Sequence, residues 1–267
     1  MTALAYTARA MRRLLAASLL LALAGCSRHL TIGGEAKILP TAEDNYKAGL
    51  DLVKDGSYPE ATKFFEYVKT KFPFSKFAAL SELRLADVKF DEGKFADAAE
   101  AYAQFAQLHP AHEDLDYAEF RVGESYLKDA PSDFFFFPPA YEKDLRQVKK
   151  ASDALKKFIA KYPESKRTPE AKKLYEQAQT RLSSYEWYVA EFYFKRERWA
   201  GAAGRYEALV DKYPGSRHEV DALLKLAQSA VALKEPYRAR TALQKLIVEH
   251  PKDPRRPEAE KLLASLR

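Results

Sequence analysis

A short phrase of lysine, an aromatic residue, proline, any residue and serine recurs along this chain and constrains its fold more than any other feature. It occurs at Lys71–Ser75, Lys161–Ser165 and Lys212–Ser216, with weaker versions around Pro110 and Pro251. Proline ends a helix because it has no N–H to donate and its ring clashes with the preceding turn. The serine can then cap the next helix. The recurrence therefore predicts a series of helix pairs.

Fixed spacings before each proline identify the rest of the repeat, which resembles the tetratricopeptide repeat. Positions 24 and 12 residues before the proline hold small residues, and positions eight and five residues before it hold large apolar ones. Small residues let the paired helices approach closely, and the larger ones fill the space to the next pair. The four sets are Gly49, Ala86, Ala190 and Ala227; Ala61, Ala98, Ala151, Ala202 and Ala239; Phe65, Tyr102, Leu155, Tyr206 and Leu243; and Val68, Phe105, Phe158, Leu209 and Leu246. We predict an all-α fold, an α-solenoid of about five tetratricopeptide-type helix pairs.

An insertion interrupts the third repeat. Gly123 and Ala151 are 28 residues apart, whereas the corresponding small residues of the other repeats are 12 apart. The insertion, at about 128–147, contains the run Phe134–Phe137. Four adjacent phenylalanines exposed to water would favour aggregation. The run is expected either to pack on the repeats or to contact a partner or membrane, and the sequence does not decide between these.

The fourth repeat begins with a long helix. Apolar residues keep helical spacing from Leu174 to Phe192, and nothing breaks the pattern between about Pro169 and Lys195. Such a helix can join two halves of an array rigidly. We therefore divide the array into N-terminal repeats one to three (42–167) and a C-terminal part (168–267) with the long helix, repeats four and five and a C-terminal capping helix at Pro257–Leu266.

The N-terminus carries the pattern of a bacterial lipoprotein signal peptide. Arginines at 9, 12 and 13 precede the apolar run Leu14–Leu23, which is shorter than the roughly 20 residues of a membrane-spanning helix. Leu-Ala-Gly-Cys follows and ends at Cys26, the only cysteine in the chain. A lipobox needs cysteine there, because its thiol is acylated before cleavage. We predict that residues 1–25 are removed, that 26–41 form a linker, and that lipid on Cys26 anchors the protein to a membrane.

Composition and motifs argue against several other functions. The formal net charge of +6 includes three arginines and no acid within residues 1–25, so the mature chain has a net charge of +3. That mixed-charge surface is not the basic stripe typical of nucleic-acid binding. A glycine-rich phosphate loop, a His-Glu-x-x-His motif and a nucleophile elbow are all missing from the sequence. We expect no enzyme activity, no cofactor, no metal site and no nucleic-acid partner.

The order of these features resembles the BamD family, the lipoprotein subunits of the machinery that folds β-barrel proteins into the outer membrane. The most specific local similarity runs through Arg181–Glu186, Val189–Tyr193 and Arg196–Trp199 to Arg205. The resemblance implies a non-enzymatic scaffold on the periplasmic face of the outer membrane. It also implies that the C-terminal repeats bind the barrel subunit BamA, with Arg196 and Arg205 at basic family positions. The N-terminal repeats are then expected to engage unfolded barrel-protein segments.

The repeat pattern also predicts which side chains line the inner face of the N-terminal first helices. This face mixes aromatic and apolar residues with a few acids, so an extended, aromatic-rich peptide such as a barrel segment could lie across it. The alternative is that these side chains pack against neighbouring helices. The predicted groove residues are Tyr46, Leu50, Val53, Leu83, Asp87, Phe90, Tyr117, Phe120 and Glu124.

Two other functions share part of the pattern. Periplasmic repeat proteins that act in cell division or on peptidoglycan usually lack a lipobox and carry an N-terminal coiled coil, whereas residues 27–45 show no heptads. Pilus-assembly pilotins are lipidated repeat proteins too, but their repeats are more regular. A lipidated adaptor for cell division, peptidoglycan or pilus assembly is therefore the alternative function.

Overall fold

The computed structural model describes residues 37–131 and 144–266, and within them it contains eleven α-helices and no β-strand. Cys26, the predicted signal peptide, most of the predicted linker and Phe134–Phe137 lie outside the described residues. The helices are α1 (Ala42–Lys54), α2 (Tyr58–Lys71), α3 (Lys76–Asp91), α4 (Phe95–Leu108), α5 (Leu115–Asp129), α6 (Arg146–Lys161), α7 (Thr168–Phe194), α8 (Trp199–Lys212), α9 (Glu219–Ala232), α10 (Pro236–Glu249) and α11 (Arg256–Ser265).

The helices form an antiparallel series in which each packs on the next one along the chain, all within one compact unit, Thr41–Arg267. The first helices of neighbouring pairs also touch, since α1 contacts α3 and α5 contacts α7. The pairs are therefore α1–α2, α3–α4, α5–α6, α7–α8 and α9–α10, and α11 covers the last pair. This arrangement confirms the predicted all-α solenoid of tetratricopeptide type.

The residues of the repeat pattern form the core. Every member of the sets at 12, eight and five residues before the proline is almost completely buried. The small residues are needed for close approach: a Cβ on Gly49 would lie 2.6 Å from the Phe65 ring, and one on Gly123 would lie 2.6 Å from Leu155 Cγ. These two glycines allow the helices of the first and third pairs to pack closely enough to exclude water.

Helix α7 contributes to two cores at once. Its first half packs Leu174 and Ala178 against Val148 and other residues of the third repeat. Its second half packs Ala190 into a different cluster, formed with α8, α9 and α10. With 27 residues, the helix is about 40 Å long at 1.5 Å per residue. The residues in its middle therefore lie at the seam between the N-terminal and C-terminal parts of the array.

Among the described residues, no helix has both the length and the apolar composition needed to cross a membrane.

Candidate functional site

A hydrogen-bonded network occupies the face formed by the first helices of the second and third repeats. Asp87 of α3 lies at its centre and accepts hydrogen bonds from three groups. The donors are the Tyr102 hydroxyl at 2.5 Å, the Tyr117 hydroxyl at 2.6 Å and Arg84 Nη1 at 2.5 Å. Because the carboxylate is buried, these donors replace the water that it loses on folding. The network joins α3, α4 and α5.

Arg121 of α5 extends this network to an aromatic surface. Its Nε donates to the Tyr102 hydroxyl at 3.0 Å, and its Nη1 pairs with Glu124 at 2.9 Å. The guanidinium also lies 3.6 Å from the centre of the Phe90 ring, within cation–π range. Polar and aromatic side chains therefore hold one another in place, which pre-organises the surface.

Burial keeps both tyrosines of the network neutral. It raises the pKa of Tyr102, and the nearby Asp87 charge adds to the increase. Burial and the same carboxylate raise the pKa of Tyr117 to about 12. Both hydroxyls therefore remain hydrogen-bond donors to Asp87 at physiological pH.

The predicted groove residues separate into an accessible set and a buried set. Tyr46, Phe90 and Tyr117 are half-buried, with one side open to solvent. Leu83, by contrast, is 0% exposed and packs against Tyr102, and Phe120 is 8% exposed. The side chains of Leu83 and Phe120 therefore belong to the core beneath the surface and are not available to a peptide. Positions three or four residues apart lie on the same side of a helix, but only part of that side faces solvent.

The rest of the predicted groove lies in the first repeat. Leu50 and Val53 are half-buried and pack with Tyr46 in the cluster around Phe65. The Tyr46 ring lies 5.8 Å from the Phe65 ring and 5.4 Å from the Phe77 ring. Tyr46 thus extends the aromatic surface of the second repeat toward the N-terminal end of the array.

The structure places Arg196 and Arg205 on the same helical hairpin but in different surroundings. Arg205 of α8 pairs with Glu186 of α7 at 3.1 Å. Arg196 is exposed just beyond the end of α7, donates to the Phe192 carbonyl at 3.1 Å and stacks 3.7 Å from the Phe192 ring. Glu186 precedes Arg196 by ten residues, or about 15 Å along a helix. The two arginines therefore do not form one compact cluster.

An aromatic stripe beside Arg196 was missed by sequence reasoning. Tyr188 is 40% exposed and Phe192 is 45% exposed, and with Arg196 they follow one another at intervals of four residues. The sequence pattern included Phe192 as the last apolar residue of the long helix and did not identify it as exposed. The available signal was the four-residue spacing of Tyr188, Phe192 and Arg196, which places them on one side of a helix.

Next to this stripe on α7, a partly buried carboxylate connects three helices. Glu191 of α7 accepts a hydrogen bond from the Tyr206 hydroxyl of α8 at 2.6 Å and pairs with Lys225 of α9. Trp187 of α7 stacks flat on His218, with ring centres 4.9 Å apart. These contacts hold α7 against α8 and α9.

One group of potential metal ligands occurs among the described residues. Single ligand atoms of Glu219, Glu249 and His250 all lie within 4.8 Å of one another. The Glu219 carboxylate already accepts the Gly215 N–H at 2.7 Å and lies 3.8 Å from Lys245 Nζ. The lysine supplies the positive charge that balances this carboxylate, so the group is accounted for as an ion-pair cluster.

Comparison with known proteins gives results that extend over most of the chain. Residues 40–246 match the sequence model of the YfiO family, described as "Outer membrane lipoprotein". The outer membrane protein assembly factor BamD of Neisseria meningitidis serogroup A is 27% identical over 250 residues, which cover 90% of this chain and 92% of the relative. BamD of Xylella fastidiosa strain 9a5c is 25% identical over 217 residues, covering 79% and 73%.

Two of the solved structures that resemble the chain are described as tetratricopeptide-repeat (TPR) proteins. The match to the TPR2AB domain of yeast Sti1, solved in a complex with pHSP90, covers 84% of this chain and 82% of the Sti1 chain, with 14% identity and a TM-score of 0.39. The match to a thermophilic TPR protein from Thermus thermophilus, TTC0263, covers 85% of this chain and 98% of that protein, with 15% identity and a TM-score of 0.35.

Proposed function

The chain belongs to the YfiO family of outer membrane lipoproteins, and on that premise we propose that it is a non-enzymatic scaffold in the assembly of β-barrel proteins into the outer membrane. The observation that carries this proposal is similarity over 90% of the chain to a protein described as an outer membrane protein assembly factor. The protein is held at the periplasmic face of that membrane by lipid on Cys26. The helix-pair array presents surfaces for other proteins.

The C-terminal repeats bind the periplasmic region of a BamA-type barrel subunit. Support comes from the exposed stripe of Tyr188, Phe192 and Arg196, because aromatic residues and arginine are enriched at the centres of protein interfaces. The Glu191 network fixes α7, the helix that carries Tyr188 and Phe192, against α8 and α9, and a pre-organised surface has a lower entropy cost of binding. Arg205 lies farther along the same hairpin. Its side chain remains 41% exposed in the ion pair with Glu186 and can therefore contact a partner.

The N-terminal repeats receive unfolded barrel-protein segments on the aromatic surface of Tyr46, Phe90 and Tyr117. Barrel strands alternate apolar and polar side chains and carry aromatic residues near their ends. The charged groups beside these rings, Asp87 and Arg121, are already paired within the protein. Recognition therefore depends mainly on aromatic and apolar contact, which suits a scaffold that accepts many client sequences.

The first experiment identifies the partner. Affinity purification of the intact lipoprotein from detergent-solubilised envelopes, followed by mass spectrometry, should recover a large barrel protein with tandem periplasmic domains near a one-to-one ratio. Recovery of cell-division, peptidoglycan or pilus-assembly proteins without that barrel protein would refute the proposal and favour the alternative adaptor function. Cys26→Ala should release the protein into soluble fractions, and continued membrane retention would refute the lipid anchor.

A matched pair of arginines tests the partner surface. Arg196→Glu should weaken binding of the BamA-type periplasmic region at least tenfold, or about 1.4 kcal/mol. Arg240→Glu on α10 is the control, because Arg240 is also exposed and also donates to a carbonyl four residues earlier, but it has no aromatic partner among the described residues. Adding Arg205→Glu should weaken binding further. Equal losses from Arg196→Glu and Arg240→Glu would show a general charge effect instead of a site.

The client surface is tested with aromatic truncations. Tyr46→Ala and Phe90→Ala should each weaken binding of a fluorescent peptide with the sequence of a barrel-protein strand, measured by anisotropy. Tyr237→Ala is the control, because Tyr237 is an exposed aromatic residue on α10. Unchanged helical circular dichroism separates lost binding from lost folding. Equal affinities for all three variants would remove this surface from the proposal.

A further inference from the structure

Positive charge is concentrated in one segment of the array. Residues 146–173, which form α6 and the beginning of α7, contain ten lysines and arginines against three acids. This excess of seven charges is larger than the net charge of +3 on the whole mature chain. The rest of the mature chain is therefore net negative, so the net charge of the whole protein gives no indication of this basic segment.

Six lysines of this segment are exposed and have no ion-pair partner within the part of the chain that the structure describes. One of them, Lys150, lies 5.0 Å from the centre of the Tyr126 ring; we call the other five the basic ridge. Its members are Lys149, Lys156, Lys157, Lys166 and Lys172. Other cations of the segment are neutralised by acids: Lys161 pairs with Glu119 at 2.6 Å, and Arg167 pairs with Asp116 at 2.9 Å. The ridge and Lys150 are the positive charge that remains after these pairs have formed.

The fold directs this charge outward. The face of α6 that carries Val148, Ala151, Leu155 and Phe158 is buried, so its lysines lie on the opposite side. Lys149 and Lys156 border a groove of about 680 Å³ against α7. Lys157 borders another of about 420 Å³ against α5. Grooves therefore flank α6 on both sides of these lysines.

The other second helices do not share this character. Helix α4 has two acids and no lysine or arginine, whereas α8 has two of each sign. The concentration of lysine is therefore a property of α6 and not of the repeat.

Lysine chemistry indicates what the ridge binds. All five cations of the ridge are lysines, whose compact, strongly hydrated charges have no preferred binding geometry. Protein interfaces are enriched in arginine and depleted in lysine. Attraction to a surface of anionic headgroups, by contrast, requires only charge close to that surface. We propose that the basic ridge binds the anionic headgroups of a phospholipid membrane.

This contact would orient the array. If Cys26 carries lipid, as the proposed function holds, the 15 residues from Cys26 to Thr41 span at most about 54 Å when extended. The tether keeps the ridge at a high local concentration near the membrane, so a weak electrostatic contact is sufficient. The headgroup binding itself does not depend on the anchor and is measurable without it.

The test uses the unlipidated mature chain, residues 26–267 with Cys26→Ser, which contains the whole compact unit Thr41–Arg267. Its co-sedimentation is measured with vesicles of phosphatidylcholine containing phosphatidylglycerol and with vesicles of phosphatidylcholine alone. Binding should require phosphatidylglycerol and should fall as salt rises above roughly 0.1 M, where charges are screened over about 10 Å.

Charge-matched variants locate the binding site. Replacing all five ridge lysines by glutamine should lower the partition coefficient more than 100-fold, since each lysine near an anionic surface contributes roughly fivefold. The control replaces five other exposed lysines without an ion pair in the described ranges, Lys63, Lys69, Lys71, Lys252 and Lys261, by glutamine. This control variant has the same net charge as the ridge variant, and its partition coefficient should be within a few-fold of that of the parent. Circular dichroism checks that both variants are folded.

Three outcomes would overturn the proposal. Binding independent of phosphatidylglycerol would mean that the contact is not with anionic headgroups. Equal losses in the two variants would mean that net charge matters and the ridge does not. Absence of vesicle binding, together with loss of a co-purifying acidic protein from the ridge variant alone, would mean that the ridge binds a protein.

Discussion

Removal of the Asp87 carboxylate should destabilise the array strongly. Asp87→Ala removes the carboxylate acceptor of three donors: the hydroxyls of Tyr102 and Tyr117 and the guanidinium of Arg84. Each buried donor left unsatisfied costs about 1–3 kcal/mol, and the charged one is near the upper end. Part of this cost is recovered when water enters, because Tyr117 and Arg84 are only partly buried. We expect a loss of about 3–5 kcal/mol, the range for a broken buried ion pair.

Thermal unfolding followed by circular dichroism measures this loss. For a domain of this size, 1 kcal/mol corresponds to roughly 2–4 °C in Tm, so Asp87→Ala should lower Tm by about 6–20 °C. Asp91→Ala is the matched control. Asp91 lies one turn later on the same helix, is exposed, and has no hydrogen bond or ion pair within the described residues. Its loss should change stability by about 0.5 kcal/mol or less.

Equal shifts in Tm for Asp87→Ala and Asp91→Ala would refute the reasoning. That result would mean that the donors around Asp87 are solvated as well by water as by the carboxylate. A normal Tm for Asp87→Ala combined with lost peptide binding would have a different meaning. The network would then serve the aromatic surface and contribute little to stability.

Three further predictions concern packing and pH. Gly123→Ala should lower stability by about 1–2 kcal/mol, because the new Cβ overlaps Leu155. Gly204→Ala, at an exposed position of α8 with open space around it, should raise stability by up to about 1 kcal/mol. Denaturant unfolding measures both, and a stabilised Gly123→Ala would contradict the packing argument. The pKa of Tyr117 is raised from 10.0 to about 12 by burial, so the stability that it contributes is complete below pH 10 and is lost as pH rises through 12. Alkaline unfolding of Tyr117→Phe should therefore show a weaker pH dependence in this window, and an identical profile would exclude the effect. A hydrogen bond from Arg255 lowers the pKa of Asp253 from 3.8 to about 2. The stability that Asp253 contributes is therefore complete above pH 3.8 and is lost as pH falls through 2. Asp253→Asn should be less stable than the parent at neutral pH, and the stabilities of the two proteins should converge in acid.

Local sequence patterns determined the repeats with little error. The long helix was predicted from about Pro169 to Lys195 and spans Thr168–Phe194. The capping helix was predicted at Pro257–Leu266 and spans Arg256–Ser265. Helix ends are set by neighbouring residues, chiefly proline, and core positions recur with the period of the helix. Both kinds of information are contained in short stretches of sequence.

The accessible surface could be predicted only in part. Leu83 and Phe120 have the same residue character and helical spacing as Tyr46 and Phe90, yet their side chains are buried. Which part of a first helix remains exposed depends on the angle at which the next pair packs on it. That angle arises from contacts between residues far apart in sequence, which no local pattern records.

Charge shows the same division. The sequence by itself determined that residues 146–173 carry ten cations and three acids. Only the tertiary structure decided which cations stay unpaired, because the acids that neutralise Lys161 and Arg167 lie on α5, 42 and 51 residues earlier in the chain. Helix formation and core packing follow from local spacing, since each repeat meets mainly its neighbours. Which side chains stay exposed to other molecules depends on the angle at which neighbouring helix pairs pack. That angle is fixed by contacts that form only when the array folds.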